Sequence, residues 1–577
     1  MQEPSGFYRS FRAYFRDLPS GARAFWMIVA ATGCASGLVA AGFMRLLRLV
    51  QDMAWPASAT YAGAIEAADP LRRILVPTIA GGMVTVLWLL TRKKLSGHGT
   101  PGVIESIWNQ DGHLELPPAF LRDASSIVAV SMGASLGREG ALIQTSAATG
   151  SWLARRFGIS PERRRLLVAC GAAAGIAAAY NVPIGASVFG LEVLLGTFAL
   201  EMFGPIVVCC VCATLVSRIL IEDHATYFIP HFTLMSARHF GLVLVLGPLL
   251  GITAALYNVG IDAISRALGA VPRPYAYAMP VIAMGLLGGA AIWFPQLLGN
   301  GYDTVDRSLL GQLPVVLLLI LPGLKFLATA ICSGAGVPGG LFTPSLYVGA
   351  LVGAALGAFA EWLMPGAGGG AYALIGMGCI LAGTTHAAVS SVLIVFELTG
   401  DYDVILPLML GCVLAAHVSR WLVRDSIYTA SLRRRKAKLP GSARPEWWRT
   451  VTVEEIYERG GDVVSLSTPF AELVHSLLEL PAGRDLYAVT PEGRYSGTIS
   501  LDALKRHLPE REHLAIAIAD DVVDRTICIV SPNLSVGDLA LRFASVPNDR
   551  LPVADQTTGV FLGTVSKTEL VGRARFG

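Results

Sequence analysis

Three glycine-rich breaks interrupt the long apolar stretches of this sequence, and each is followed at once by residues typical of a helix. The breaks read GHGTP at residues 97–101, GREGA at residues 137–141 and GGLFTP at residues 339–344. The first N–H groups of a helix lack partners, and together they carry about half a positive charge. Several helix starts that meet inside a membrane therefore form an anion site without a full cation. Glycine allows the backbone to approach the ion closely.

One acidic residue, Glu139, lies within the second break and is surrounded by apolar sequence. An ionisable side chain at membrane depth is costly, so such residues are rare and commonly mark a pathway or a pair. We therefore predict that Glu139 is functional. The alternative interpretation is a structural ion pair with the neighbouring Arg138.

The elements that carry these breaks are predicted to be membrane helices. Of the 577 residues 53% are hydrophobic and 15% are charged, and 62 are glycine, which excludes an ordinary soluble enzyme. Apolar runs at residues 74–90, 240–256 and 314–331 are long enough to span or nearly span a hydrocarbon core of about 30 Å. The nine cysteines are scattered and indicate neither a disulfide framework nor a zinc site.

The membrane part contains a faint internal repeat. Gly171 and Glu192 bracket an apolar segment rich in alanine and glycine, and Gly376 and Glu397 bracket another segment of the same length. Matching halves with helices broken by glycine and proline are typical of transporters whose binding site lies near the midplane. Close helix packing through small residues explains most of the other glycines. We predict an all-α polytopic domain of two inverted repeats.

Charged residues predict the orientation of both ends of this domain. Residues 1–23 contain basic residues between aromatic ones, which is typical of an amphipathic helix on the cytoplasmic face and not of a cleavable signal. Five basic residues between 433 and 438 follow the last apolar segment, as the positive-inside rule requires of a cytoplasmic end. We expect a membrane domain at residues 24–438, placed in a bacterial inner membrane.

In order and spacing, the three breaks resemble the signature regions of the CLC family of chloride channels and proton/chloride antiporters, usually written GSGIP, GREGP and GxFxP. The resemblance covers about residues 24–435, and DSIY at residues 425–428 is similar to a late segment of the family that carries a tyrosine. It implies passage of chloride or a similar small anion across the lipid bilayer by a homodimer with one pathway per subunit. Neither an enzyme activity nor a nucleic-acid partner is implied.

The resemblance also implies roles for individual residues. Glu139 resembles the gating glutamate, whose carboxylate occupies an anion position while the pathway is closed. Tyr428 resembles the tyrosine whose hydroxyl group helps to hold the central anion, and Leu341 and Phe342 correspond to the residues whose backbone N–H groups donate there. The other residues that we predict to line the anion site belong to the second break and are Gly137, Arg138 and Gly140.

Two positions depart from the family pattern. His98 replaces the serine that contacts the inner anion; imidazole is larger and gains charge near pH 6.5, so we expect altered anion preference or pH dependence unless the ring points away. Val193 replaces the second of two successive glutamates, which in the antiporters is the inner proton acceptor, whereas Glu192 matches the first. The valine favours a passive channel. A coupled antiporter would need another proton route, through Glu192 or His98.

From about residue 439 the composition becomes that of a soluble protein. A strand, helix, strand, strand order over residues 462–500 recurs over residues 527–566 and predicts two small α+β units, at residues 450–508 and 515–577. The second unit resembles the end of a CBS motif, a paired cytoplasmic module that often binds adenine nucleotides. Ser566 and Glu569 stand where a nucleotide-binding motif has Ser or Thr and, three residues later, Asp. A structural dimer cap without nucleotide remains the alternative.

Other functions match the sequence less well. A zinc protease of the membrane needs a His-Glu-x-x-His pair, and none of the ten histidines has that spacing. The GASLG segment at residues 133–137 has the pattern of a serine nucleophile with His386 as a conceivable base, but no strand precedes it, which leaves an intramembrane protease as a remote alternative. GHGTPG at residues 97–102 lacks the βαβ context of a dinucleotide site.

Overall fold

The computed structural model describes two units, which divide between Gly441 and Ser442. In the first unit it describes residues 20–91, 99–221, 237–363, 369–400, 402–437 and 439, and in the second it describes residues 451–481, 484–501, 504, 517–546 and 548–570. The predicted amphipathic helix at residues 1–23 lies outside these ranges, apart from its last four residues, which belong to the first helix.

Apart from an isolated bridge between Gly137 and Gly340, the regular secondary structure described in the first unit is helical. Its first half contains α1 (Ser20–Ala54), α2 (Tyr61–Ala67), α3 (Pro70–Thr91), α4 (Gly99–Asn109), α5 (Leu116–Ser131), α6 (Glu139–Arg156), α7 (Pro161–Tyr180), α8 (Pro183–Phe189) and α9 (Leu200–Leu220). Its second half contains α10 (Ala237–Gly269), α11 (Arg273–Ala276), α12 (Met279–Ala290), α13 (Tyr302–Leu309), α14 (Val315–Gly334), α15 (Phe342–Leu363), α16 (Gly369–Thr385), α17 (Ala388–Thr399), α18 (Ile405–Leu422) and α19 (Thr429–Arg434).

Several of these helices are long and apolar enough to cross a membrane. Seven meet that requirement within the described part of the chain, and the three predicted spans fall in α3, α10 and α14. Other helices, such as α8 and α17, are too short to cross on their own. Short apolar helices that end inside the domain are the broken helices that the glycine and proline pattern predicted.

The internal repeat is visible as a repeated order of elements. Helices α6 to α9 and helices α15 to α18 each consist of a helix that starts at a glycine break, a second long helix, a short helix and a third long helix. Gly171 packs on the backbone of Ser146 in α6, and Gly376 packs on the backbone of Gly349 in α15, so closely that a Cβ atom at either glycine would overlap the partner's carbonyl oxygen. The two glycines thus have the same packing function in each half.

The second unit contains two three-stranded sheets. Strands β2 (Val463–Ser465), β3 (Leu486–Val489) and β4 (Tyr495–Ile499) form one sheet, in which β2 is parallel to β3 and β4 is antiparallel to it. Strands β1 (Glu458–Arg459), β6 (Phe561–Ser566) and β5 (Arg550–Ala554) form the other, in that order and antiparallel. The remaining helices are α20 (Phe470–Glu479), α21 (Ala519–Val522) and α22 (Val536–Ser545).

The two α+β copies exchange short elements. Strand β1 belongs to the first copy in sequence but pairs with β6 of the second, and α21 packs its Ala519 and Val522 into the apolar core that contains Phe470 of the first copy. The strands and helices predicted at residues 462–500 are present, within two residues of the expected ends. The exchange was not predicted, because β1 and α21 are too short to give a periodic pattern.

Candidate anion site

Two helix starts meet at the glycine breaks. Helix α6 begins at Glu139 and helix α15 begins at Phe342. The preceding glycines form an isolated antiparallel bridge, in which the N–H of Gly137 donates to the oxygen of Gly340 at 2.9 Å and the N–H of Gly340 donates to the oxygen of Gly137 at 2.7 Å. This bridge holds the N-termini of the two helices beside one another.

The carboxylate of Glu139 lies on the start of α15. The side chain is 2% exposed, and its Oε1 atom accepts from the backbone N–H groups of Phe342 at 2.7 Å and Thr343 at 3.1 Å. Its Oε2 atom accepts from the hydroxyl groups of Thr343 at 3.0 Å and Tyr180 at 3.1 Å. Because unpaired N–H groups at a helix start are where an anion binds, the carboxylate occupies the position of an anion.

Glycines allow this arrangement. A Cβ atom at Gly137 or at Gly340 would overlap the carboxylate of Glu139. The first break joins the other two, since a Cβ atom at Gly99 would overlap the carbonyl oxygen of Gly140, which itself lies against Gly340. The starts of α4, α6 and α15 therefore come together as the sequence predicted, and the glycines are needed for the close approach.

The structure places the remaining residues of the second and third breaks beside this site. The guanidinium group of Arg138 donates to the carbonyl oxygen of Ala179 at 3.2 Å and lies 5.0 Å from the ring centre of Tyr302. Leu341 is buried, and its carbonyl oxygen accepts from the hydroxyl group of Ser345 at 2.8 Å. The N–H donors to Glu139 come from Phe342 and Thr343, and the predicted donation by Leu341 and Phe342 to the central anion stays a prediction.

Tyr428 is buried immediately before α19. The side chain is 2% exposed, its ring packs edge-to-face on Phe189 with 6.2 Å between ring centres, and its hydroxyl group has no hydrogen-bond partner among the described residues. The N–H of Ile427 donates to the carbonyl oxygen of Thr384 at 2.9 Å and so fixes the segment to the end of α16. A buried hydroxyl group without a partner is costly, and a bound anion would satisfy it.

His98 lies outside the described residues, so its predicted contact with the inner anion stays a prediction. The helix that follows it, α4, begins at Gly99. The GASLG segment at residues 133–137 follows helix α5 and not a strand, which is not the strand–turn–helix geometry of a serine nucleophile.

Known proteins share both the sequence and the fold of the first unit. A family model described as voltage gated chloride channel matches residues 78–420. A ClcB-like protein of Ralstonia nicotianae is 37% identical over 432 residues, which cover 72% of this chain and 98% of that protein. The chain belongs to the CLC family. A second relative, the voltage-gated ClC-type chloride channel ClcB of Escherichia coli O81, is 34% identical over 70% of this chain and 97% of its own length.

Solved CLC structures have the same fold. The crystal structure of a slow cyanobacterial Cl⁻/H⁺ antiporter covers 72% of this chain and 98% of its own, with a TM-score of 0.66 and 24% identity. The crystal structure of a eukaryotic CLC transporter covers 94% of this chain and 97% of its own, with a TM-score of 0.61 and 17% identity. The second match is longer than the first unit alone, so it extends into the C-terminal unit.

Val193, which we predicted to replace the antiporters' inner glutamate, is buried in this CLC protein within a turn of π-helix, Gly190–Leu195, that continues α8. The neighbouring Glu192 is a helix cap: its Oε2 atom accepts from the N–H of Ser390 at 2.8 Å and from the Ser390 hydroxyl group at 2.5 Å, at the start of α17. The proton route that the sequence left open at Glu192 would need this side chain to leave its partners.

Glu397, in the second half of the domain, makes the equivalent contact with a helix start in the first half. It lies near the end of α17 and accepts from the N–H groups of Ile184 at 3.0 Å and Gly185 at 2.6 Å, at the start of α8. Each half of the CLC domain thus supplies the carboxylate that caps the short helix of the other half. Carboxylates at helix starts are favourable because they pair unsatisfied N–H groups and complement the helix dipole.

A cavity of about 350 Å³ adjoins Arg138. Polar and charged side chains line much of it, including Arg48, Gln51, Asn300, Tyr302 and Asp303. Lys325, which is 0% exposed, supports the loop at the edge of this cavity by donating to the carbonyl oxygens of Leu297 at 3.1 Å and Gly299 at 2.7 Å. Two arginines, Arg48 and Arg138, and one carboxylate, Asp303, thus line a cavity beside the second break.

In the C-terminal unit, Ser566 and Glu569 bond to each other. The carboxylate of Glu569 accepts from the N–H of Ser566 at 2.8 Å, and the hydroxyl group of Ser566 accepts from the N–H of Glu569 at 3.0 Å. This reciprocal pair is a capping box, which stabilises the helix that follows β6. Nucleotide binding by these two residues stays a prediction.

A cavity of about 360 Å³ in the C-terminal unit has a lining that does not include Ser566 or Glu569. Arg550 donates to the carboxylate of Glu458 at 2.8 Å and to the hydroxyl group of Thr564 at 2.8 Å, and the bond from Arg550 lowers the pKa of Glu458. The other polar side chains of the lining are Arg459, Asp462, Arg484, Asp485 and Tyr487. The cavity is therefore lined by three arginines and three carboxylates.

Proposed function

We propose that this protein passes chloride or a similar small anion across the bacterial inner membrane through a pathway that Glu139 closes. The observation that carries the proposal is the position of the Glu139 carboxylate, which fills the N-terminus of α15 with both oxygens hydrogen-bonded. The relatives named as chloride channels support chloride as the anion.

Gating follows because the Glu139 carboxylate and the passing anion compete for the same hydrogen-bond donors. While the carboxylate is ionised and in place, it satisfies the N–H groups of Phe342 and Thr343, and an anion cannot bind there. An anion that arrives in place of the carboxylate, or a proton that neutralises it, opens the position. The donors are neutral, so a bound ion is held weakly enough to leave, which conduction requires.

We propose that conduction is channel-like, because a valine at residue 193 cannot accept a proton and Glu192 is engaged as a helix cap. The alternative is a coupled antiporter that uses another proton route, through His98 in the first break or through Glu192. The two mechanisms differ in driving force: a coupled exchanger links anion flow to the pH gradient, whereas in a channel pH changes only the open fraction.

The deciding experiment is current measurement on the purified protein in a planar bilayer with unequal chloride and an imposed pH gradient. For a channel we expect a reversal potential at the chloride equilibrium value, whatever the pH on either side. A reversal potential displaced by pH toward the value of a fixed chloride-to-proton ratio would refute the channel proposal. The absence of any anion current would refute anion passage itself.

We further propose that the protein is a homodimer with cytoplasmic termini and that the C-terminal unit is a CBS pair. The two α+β copies and their exchanged elements support a paired module. If the pair binds an adenine nucleotide, the cavity beside Arg484 and Arg550 offers cations for its phosphates. Equilibrium dialysis of ATP against the full-length protein tests this, and Arg550→Ala should abolish any binding.

A further inference from the structure

Two side-chain hydroxyl groups bind the second oxygen of the gating carboxylate. Those of Tyr180 and Thr343 lie 3.1 and 3.0 Å from the Oε2 atom of Glu139, and they lie 2.8 Å from each other. All three side chains are buried, with exposed fractions of 1% for Tyr180, 0% for Thr343 and 2% for Glu139. The signature motifs specify neither hydroxyl group.

The four donors around Glu139 form two pairs. Two backbone N–H groups point to Oε1, and two hydroxyl groups point to Oε2. When the carboxylate leaves, the vacated position therefore offers one donor pair for each of two oxygens held in one plane. Nitrate presents two oxygens in this same planar arrangement, whereas a halide has a single centre that the two pairs must share.

We propose that the position vacated by Glu139 is a planar-oxyanion site and that the Tyr180 and Thr343 hydroxyl groups determine its preference for nitrate over chloride. This inference rests on the proposed function, because an anion must be able to enter once Glu139 has moved. It adds the class of anion that the vacated position selects and the side chains responsible.

The hydroxyl pair is positioned in advance. The ring of Tyr180 packs against the ring of Phe342 with 5.5 Å between centres, and the guanidinium group of Arg138 lies 5.6 Å from the Tyr180 ring centre. Thr343 is part of the first turn of α15, so its side chain is fixed by the helix start. Donors that are already in place cost little to organise when the anion binds.

The expected preference for nitrate over chloride follows from the hydrogen-bond donors that each anion leaves without a partner. A site built to hydrogen-bond substrate oxygens disfavours an analogue that lacks them, because buried polar groups then lose a partner. Here the loss is partial, since the two hydroxyl groups are close enough to bond to each other when no oxygen lies between them. We expect removal of one hydroxyl group to lower the nitrate-to-chloride preference roughly three- to tenfold.

The test uses Glu139→Ala, which leaves the site permanently vacated, with Thr343→Val or Tyr180→Phe added. Nitrate and chloride efflux from liposomes gives the preference in transport, and calorimetric titration of the purified protein with each sodium salt gives it in binding. Ser345→Ala and Tyr372→Phe are matched controls, since each removes a buried hydroxyl group that does not contact Glu139. Thr343→Ser keeps the hydroxyl group and should keep the preference.

The expected result is a lower nitrate-to-chloride ratio in both test variants, in transport and in binding, with unchanged ratios in both controls and in Thr343→Ser. Equal ratios in all variants, while Glu139→Ala still transports both anions, would overturn the inference and leave the proposed function intact. No transport of either anion by wild type or by Glu139→Ala would instead contradict the proposed function. If a test variant does not fold, the other one and Thr343→Ser decide the outcome.

Discussion

Replacing Gly340 by alanine should hold the gate open. A Cβ atom at this position would overlap the Oε1, Cδ and Cγ atoms of Glu139, and these are its three nearest neighbours. They belong to the far part of a flexible side chain, so the side chain can move away while the backbone stays in place. The carboxylate then loses the N–H groups of Phe342 and Thr343.

The size of the effect can be worked from those two bonds. A hydrogen bond to a charged group contributes about 1.5–3 kcal/mol net, so two such bonds contribute at least about 3 kcal/mol to the closed state. That energy corresponds to a more than roughly 100-fold lower ratio of closed to open protein. We expect Gly340→Ala to release chloride from liposomes at pH 7.5 as fast as Glu139→Ala, with little change at pH 4.5.

Two controls make the result specific. Gly323→Ala adds a methyl group in α14, where no atom lies within 4 Å of the new Cβ, and should keep wild-type pH dependence. The double variant Gly340→Ala with Glu139→Ala should match Glu139→Ala alone, which shows that the methyl group does not block the pathway. Wild-type pH dependence in Gly340→Ala would refute the placement of the closed carboxylate.

Three further predictions concern other residues. Glu139→Gln imitates the protonated carboxyl group, so chloride flux should vary little between pH 4.5 and 7.5, and an unchanged pH profile would remove the gating role. His98→Ser should shift the chloride-to-nitrate permeability ratio or its pH dependence in a bilayer recording, and if neither moves the imidazole does not face the anion. Glu192→Gln weakens the cap on α17 and should lower the free energy of unfolding, measured by thermal unfolding, by about 1 kcal/mol, and Glu397→Gln should do the same at α8. The folded variants should still conduct. A change of reversal potential in Glu192→Gln would instead indicate a proton route through Glu192.

The core of the site could be predicted from the sequence because its parts are local. Glycine at a break, a helix directly after it and a lone glutamate among apolar residues are visible in a few consecutive letters, and their physical meaning is general. Gly137, Glu139 and Gly340 were found in this way. The convergence of the breaks in space needed the family resemblance, since no spacing rule brings residues 99, 139 and 342 together.

The remaining contacts could not be predicted because they join distant parts of the chain. Tyr180 lies 41 residues from Glu139 and ends a different helix, and nothing in its neighbourhood distinguishes it from a buried aromatic residue. Thr343 was within a recognised break, but only the rotation of the first turn of α15 shows that its hydroxyl group faces the carboxylate. The same holds for β1, a two-residue strand whose partner follows about a hundred residues later.

The crossed helix caps have a consequence for how the protein is made. Glu192 can bind Ser390 only after a further 198 residues have been synthesised. The N–H groups of Ile184 and Gly185 can donate to Glu397 only after a still longer stretch of chain has been made. Until then, the first half holds a carboxylate and a helix start whose partners have not yet been made, and unsatisfied polar groups are unfavourable where they face lipid. We therefore expect the half-inserted protein to be metastable, and a truncation between the halves should be recognised and degraded rather than accumulate as an independent membrane domain.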